Sequence, residues 1–146
     1  MIVIDASVAA KWFLPEKGSD AAVELQEGPD ALIAPDIIRM EVAGSITRRV
    51  RAEKKEDRIS PAVARSLCDK WFRFLDTAPL DLIPEAELLQ QAVNLSIEIK
   101  HTLPDCLYLA LAQKEKAHLV TADKPLFERG SRFYKQISLL KGCEGH

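Results

Sequence analysis

The chain has 146 residues, 20 of them Lys or Arg and 22 Asp or Glu, with 47% hydrophobic and 29% charged content. That is the size and make-up of one globular domain able to bury its own core, which excludes a second folded unit, wholesale disorder, collagen and coiled-coil rods. A net charge of −2 excludes a protein that coats nucleic acid by bulk charge, and the longest apolar run, Cys106 to Ala112, is far short of the roughly 20 residues that span a bilayer.

Met1 to Ile4 is a short β-branched run ended by Asp5, and Ala6 to Leu14 continues with helical spacing before Pro15, so a strand and then a helix are expected. Ser19-Asp20 stands as an N-cap before a short helix over Ala21–Gln26, which Gly28-Pro29 stops. Ala31 to Ala34 reads as a second strand. A long helix follows Pro35-Asp36 and runs to about Lys54, with Ile38, Val42, Ser45 and Ile46 along one face and Glu41 on that same face. Ser60-Pro61 opens a helix whose apolar stripe is Ala64, Leu67, Cys68, Trp71, Phe74 and Leu75. Leu80 to Ile83 is a third strand, and helices are expected from Pro84 to about Ile99 and from Pro104 or Asp105 to about Lys116. Leu119–Thr121 is the fourth strand. A short helix near Lys124–Arg129 and a strand near Ile137–Leu140 complete an alternation that implies a three-layer α/β architecture, with a mostly parallel sheet between two helical layers. Residues 1–141 then form the single domain, and residues 142–146 a frayed tail.

The N-terminus has no basic segment and carries Asp5 inside its first apolar run, so no secretory signal is expected and the cytoplasm is the default location. Cys68, Cys106 and Cys143 form an odd set without a C-x-x-C pair, which argues against both a disulfide framework and a thiolate zinc site. Charge is unevenly spread: residues 1–47 hold three Lys/Arg against eight Asp/Glu, whereas residues 101–146 hold seven against five.

Ligand and catalytic sites of open α/β sheets form beyond the carboxyl ends of the strands, and several acids fall at such places. Asp5 ends the first strand, Asp105 opens a helix, and Thr121 and Asp123 follow the fourth strand. Glu41 joins them from an apolar helix face with no Lys or Arg one turn away, where an unpaired carboxylate is expensive. Taken singly, Asp105 reads as a helix cap and Asp123 as a turn residue or cap, and Asp30 and Asp36, beside prolines, as turn or cap residues. Taken together, four carboxylates with a hydroxyl or two suit hard Mg²⁺ or Mn²⁺ rather than zinc.

Four stretches, M-I-V-I-D-A-S at 1–7, P-D-I-I-R-M-E-V-A at 35–43, L-P-D-C-L-Y-L-A-L-A at 103–112 and L-V-T-A-D-K-P-L at 119–126, together resemble the PIN-domain family, and within it the single-domain VapC-type toxins. The resemblance covers essentially the whole chain. It implies a Mg²⁺- or Mn²⁺-dependent endoribonuclease, the toxin of a toxin–antitoxin pair, acting on RNA and blocked by a small antitoxin. A homodimer that meets no membrane, and DNA only through the antitoxin, belongs to the same expectation. The family's acids fall on Asp5, Glu41, Asp105 and Asp123, and its supporting hydroxyls on Ser7 and Thr121. Asp5 and Asp105 would ligate metal, Glu41 would ligate it or orient its water, Asp123 would act through water or indirectly, and the hydroxyls would fix carboxylate rotamers. Cys106 departs from the family's usual alanine and Gly44 from a frequent asparagine, which bears on packing and substrate choice.

The stretch from Arg48 to Arg58 carries six basic residues and three acids; it reads as a solvated helix end that complements the helix dipole, or as a rim that attracts RNA phosphates. Trp12, Phe13 and the Trp71–Leu75 cluster are mainly core, with Trp12 and Phe72 as surface candidates for a partner. His101, His118 and His146 show no ligand spacing and receive no role. Haloacid-dehalogenase-like, P-loop and Rossmann sites are discarded for want of a second Asp after Asp5-Ala6, of G-x-x-x-x-G-K-[ST] and of G-x-G-x-x-G. The competing class is a PIN-like module that binds RNA or protein and has lost catalysis.

Overall fold

The structure, a computed structural model, describes residues 1–77 and 80–144. Short strands β1 (Ile2–Ile4), β2 (Leu32–Pro35), β3 (Leu80–Ile83), β4 (His118–Thr121) and β5 (Ile137–Leu139) form one sheet in the order β3-β2-β1-β4-β5, with every pairing parallel. Between them run α1 (Ala6–Ala9), α2 (Ser19–Glu27), α3 (Ile38–Arg48), α4 (Pro61–Thr77), α5 (Leu89–Ile99), α6 (Leu103–Glu115) and α7 (Lys124–Gly130). The chain works outward from β1 through β2 to β3, then returns to β4 and β5 on the other side. Right-handed crossovers therefore lay α1–α4 over one face and α5–α7 over the other, the three layers expected. Where the direction reverses, between β1 and β4, a crevice opens at the carboxyl ends of the strands.

Burial on both faces accounts for the β-branched and aliphatic strands: Val3, Ile4, Ile33, Leu119 and Val120 are all buried. α6 explains the longest apolar run in the chain. It packs between β1, β2 and β4 on one side and α5 on the other, so Cys106 to Ala112 are buried all round and no amphipathic period survives. α4 keeps its stripe: Trp71 is fully buried, donates its indole N–H to the Arg39 carbonyl at 3.0 Å, and meets the rings of Phe13 and Phe74 at 5.7 and 5.9 Å. Phe72 stays 48% exposed. Trp12, also weighed as a surface residue, is half-buried instead, with its N–H on the Ala22 carbonyl at 2.8 Å and its ring 5.1 Å from Phe74.

Two helices differ from expectation. α3 stops at Arg48 and passes through a 3-10 turn, Arg49–Arg51, rather than running to Lys54. The Arg49 carbonyl accepts from Ile59 N–H at 3.1 Å, so the acceptor that would continue the helix is taken by a returning loop, which the Arg49 guanidinium also holds by donating to the Asp57 carbonyl at 2.6 Å. α2 begins after Gly18 in a left-handed conformation (φ 87°), not after a Ser19-Asp20 cap, because the Ser19 hydroxyl turns back to accept from Glu16 N–H at 2.8 Å. The space beside Gly18 is filled by Cys143 and Leu140. Of the tail set off at 142–146, Gly142 and Cys143 lie against Gly18 and Lys17, while residues 145 and 146 lie outside the described residues.

Candidate functional site

Strand register brings the first two contributors together. Ile4 pairs with Val120, so Asp5 and Thr121 leave the sheet side by side at the crevice. Asp5 is 3% exposed, and its Oδ2 accepts from Ser7 Oγ and from Thr121 Oγ1, each at 2.6 Å. Each hydroxyl is itself held: Ser7 Oγ accepts from Ala122 N–H at 2.9 Å and Thr121 Oγ1 from Asp123 N–H at 3.0 Å. With one hydrogen apiece spent on Oδ2, the two hydroxyls lock the carboxylate rotamer. Oδ1 meets no donor among the described residues.

The other acids arrive from three helices. Glu41 sits in the first turn of α3, half-buried, and accepts from the Tyr108 hydroxyl of α6 at 2.6 Å. This tyrosine supplies part of the compensation that the bare helix face lacks. Asp105 lies in the first turn of α6, whose N-cap is Thr102, so it is not the cap. Asp123 is a cap: its Oδ1 accepts from Leu126 N–H of α7 at 3.4 Å, while Oδ2 lies 3.9 Å from His101 Nε2. Lys100 closes α5 in a left-handed turn (φ 55°), and the turn delivers His101 beneath α6, with Nε2 2.6 Å from Asp105 Oδ2. On the other edge of the ring, Arg129 Nη1 stands 3.0 Å from His101 Nδ1 and 3.1 Å from the Lys100 carbonyl. A guanidinium only donates, so Nδ1 accepts and the ring hydrogen sits on Nε2, pointing at Asp105.

Electrostatics mark the cluster as unsatisfied by the chain alone. Burial raises the Asp5 carboxyl to about 7 from its ordinary 3.8, against the two hydroxyl bonds, and the charges of Asp105 and Glu41 push the same way. Burial also raises Glu41, opposed by the Tyr108 bond and Arg48, and raises Asp123 despite its cap. A cleft of about 370 Å³ is lined by Asp5, Ser7, Glu41, Asp105 and Asp123, with Arg48 the one cation among its lining residues. A buried carboxylate without a cation, facing three more across a cleft, is an oxygen-donor set suited to a hard divalent ion. His101, Asp105 and Asp123 also offer donor atoms within 4.8 Å of one another, but with its hydrogen on Nε2 the imidazole holds a carboxylate rather than a metal.

All six residues singled out from the sequence thus gather here: Asp5, Ser7, Glu41, Asp105 and Asp123 on the cleft, and Thr121 behind Asp5. His101, Tyr108 and Arg129 were missed. His101 stands four residues before Asp105, one helical turn, and that spacing was the available signal; Tyr108 was hidden in an apolar run, and Arg129 is near only in space. His118 bonds Ser138 Oγ at 2.8 Å, away from the cleft, and His146 lies outside the described residues. Cys106 is buried in packing, as its place suggested, and open space adjoins Gly44 on the cleft wall.

Comparison with known proteins agrees with this geometry. The profile of the PIN domain family matches residues 2–131. Ribonuclease VapC3 of Pyrobaculum aerophilum is 29% identical over 129 residues, covering 88% of this chain and 93% of that protein. Among solved structures, a toxin–antitoxin complex from Klebsiella pneumoniae superposes with a TM-score of 0.65 at 17% identity, covering 94% of this chain and 96% of its own. A crystal structure of a protein from Pyrobaculum aerophilum gives 0.63, also at 17% identity, over 96% and 89%. At that identity the two superpositions show the fold.

Proposed function

The chain belongs to the PIN-domain family, and from that premise we propose that it is a Mg²⁺- or Mn²⁺-dependent endoribonuclease acting as the toxin of a toxin–antitoxin pair. The observation that carries the reading is Asp5: a carboxylate 3% exposed, locked by two hydroxyls, short of any cation, and facing three further acids. A binding module has no use for that arrangement, which is unfavourable until a cation arrives. The likeness to a ribonuclease and to a toxin–antitoxin structure supports RNA as substrate and a small protein as inhibitor.

Asp5 and Asp105 would hold the ion, with Glu41 and Asp123 completing its surroundings. When bound, a divalent ion supplies a nucleophile at neutral pH and charge to offset the phosphoryl oxygens. The chain's own side chains do the rest. Ser7 and Thr121 keep Asp5 from rotating away, His101 keeps Asp105 aimed, and Tyr108 steadies Glu41, whose raised proton affinity suits it to orient the attacking water and take up its proton. The antitoxin would set an arginine across two of these carboxylates in the ion's place, with exposed Phe72 as an anchor; a homodimer, and contact with DNA only through the antitoxin, belong to the same reading.

Incubating purified protein with labelled single-stranded RNA tests the assignment. Internal cleavage is expected with Mg²⁺ or Mn²⁺, none in EDTA, and a loss of orders of magnitude in Asp105→Asn with an unchanged circular dichroism spectrum. RNA bound but never cleaved under any metal condition would favour the module that has lost catalysis.

A further inference from the structure

Next to the acid cleft, and sharing Ser7, Ser45 and Arg48 with it as a common border, lies a second and larger cavity of about 680 Å³. Its character is opposite. Lys11, Arg48, Arg49 and Arg51 face it, against Glu16 and Asp57. Glu16 is shared, 3.3 Å from Lys11 Nζ and 3.0 Å from Arg49 Nη1, so one carboxylate serves two cations. Arg48 and Arg51 form no ion pair among the described residues; Arg48 donates to the Ser45 hydroxyl at 3.2 Å and acts on Glu41 only through its charge across the cleft.

The plain account of basic residues after a helix is that they complement its dipole or cap its last carbonyls. Arg48 and Arg51 do stand in last turns, where their charge suits the dipole, but neither guanidinium bonds a terminal carbonyl among the described residues. Arg58, from the same basic stretch, does turn onto the Ala52 and Glu53 carbonyls, and Arg49 spans Asp57 and Glu16. What remains is two guanidinium groups without an ion pair over a roomy hollow, beginning where the acids end. A phosphodiester chain carries a charge at every nucleotide. The linkage placed among the carboxylates would have its charge offset there by the ion, and the cations of this hollow stand beside it for a neighbouring phosphate.

We infer that the cavity bordered by Arg48 and Arg51 is a second phosphate subsite, which takes the backbone phosphate of the nucleotide adjoining the one cleaved and so fixes the direction in which single-stranded RNA crosses the acid cleft. This rests on the reading of the cleft as a ribonuclease site. The planar guanidinium pair is suited to bidentate bonds to phosphate oxygens, and the cavity volume lies within the range of about 300–1,000 Å³ found for small-ligand sites. Ala10, Leu14, Ala52 and Ala122 complete its wall between the charged groups.

The test is equilibrium binding of a short, fluorescently labelled single-stranded RNA, in EDTA, across a range of salt. Arg48→Gln with Arg51→Gln should weaken binding at least tenfold and flatten the plot of log affinity against log salt by about 0.7, one single-strand phosphate contact. Lys54→Gln with Lys55→Gln removes the same charge from the same stretch outside the cavity, and should leave affinity within twofold. Melting curves identify a variant that has lost its fold, in which case Arg51→Ala alone carries the comparison. Equal losses in the two double variants would overturn the subsite in favour of bulk attraction, and wild-type affinity in the Arg variant would overturn it outright. A wild type that binds no single-stranded RNA would refute the RNA reading itself, and this inference with it.

Discussion

Asp5 concentrates the cost of the site in one side chain. Its carboxyl is raised to about 7 from 3.8, so the folded chain holds that proton more tightly than the unfolded chain does. The stabilisation from that tighter grip is full below about pH 4 and is lost as pH rises through 7. The metal-free protein should accordingly melt at progressively lower temperature across this window, by a loss on the order of 4 kcal/mol. Asp5→Asn keeps an oxygen for Ser7 and Thr121 and carries no charge. In EDTA at pH 8 it should melt above wild type by roughly 5–10 °C while RNA cleavage disappears; an asparagine variant that melts lower would refute the burial argument. His101 gives a second expectation at this scale. His101→Gln can still donate to Asp105 whereas His101→Ala cannot, so alanine should weaken Mn²⁺ binding by about 10–100-fold and glutamine by much less, as read by calorimetric titration. Equal losses would mean that the ring only fills space.

Among the elements, most boundaries were legible because they rest on local chemistry: apolar runs for strands, Ser60-Pro61 for the start of α4, Pro104 for the start of α6. The end of α3 was not. Its periodic residues run on past Arg48, and what stops it is the Arg49 bonding to Asp57 and Ile59, partners that are adjacent only after the loop has returned. The start of α2 shifted for a similar reason, since Gly18 packs on Cys143 and Leu140 from the far end of the chain. A Cβ at Gly18 would lie 2.9 Å from Cys143 Sγ, on a backbone with φ +87°. Gly18→Ala should therefore destabilise by about 1–3 kcal/mol in urea unfolding, and truncation after Leu140 should recover the part due to the contact. No change on Gly18→Ala would place the tail elsewhere.

For the whole molecule, the site was legible in outline because an open sheet gathers its strand ends, and the acids Asp5 and Asp123 already stood at such ends in the sequence. Its supports were not. Tyr108, His101 and Arg129 reach Glu41 and Asp105 through packing of α3, α5, α6 and α7 that no local pattern states, and the division into an acidic and a basic cavity exists only once α1 and α3 lie side by side. On the proposed function, this unfavourable cluster persists in the fold because it holds a divalent ion. The most direct measurement is the melting temperature at pH 8 as Mn²⁺ is added to wild type and to Asp5→Asn. Wild type should rise saturably, gaining about 2.7 kcal/mol at 100 times its dissociation constant, and so close the gap on a variant that starts higher and does not respond. A parallel rise in both proteins, or no rise in wild type, would contradict the account.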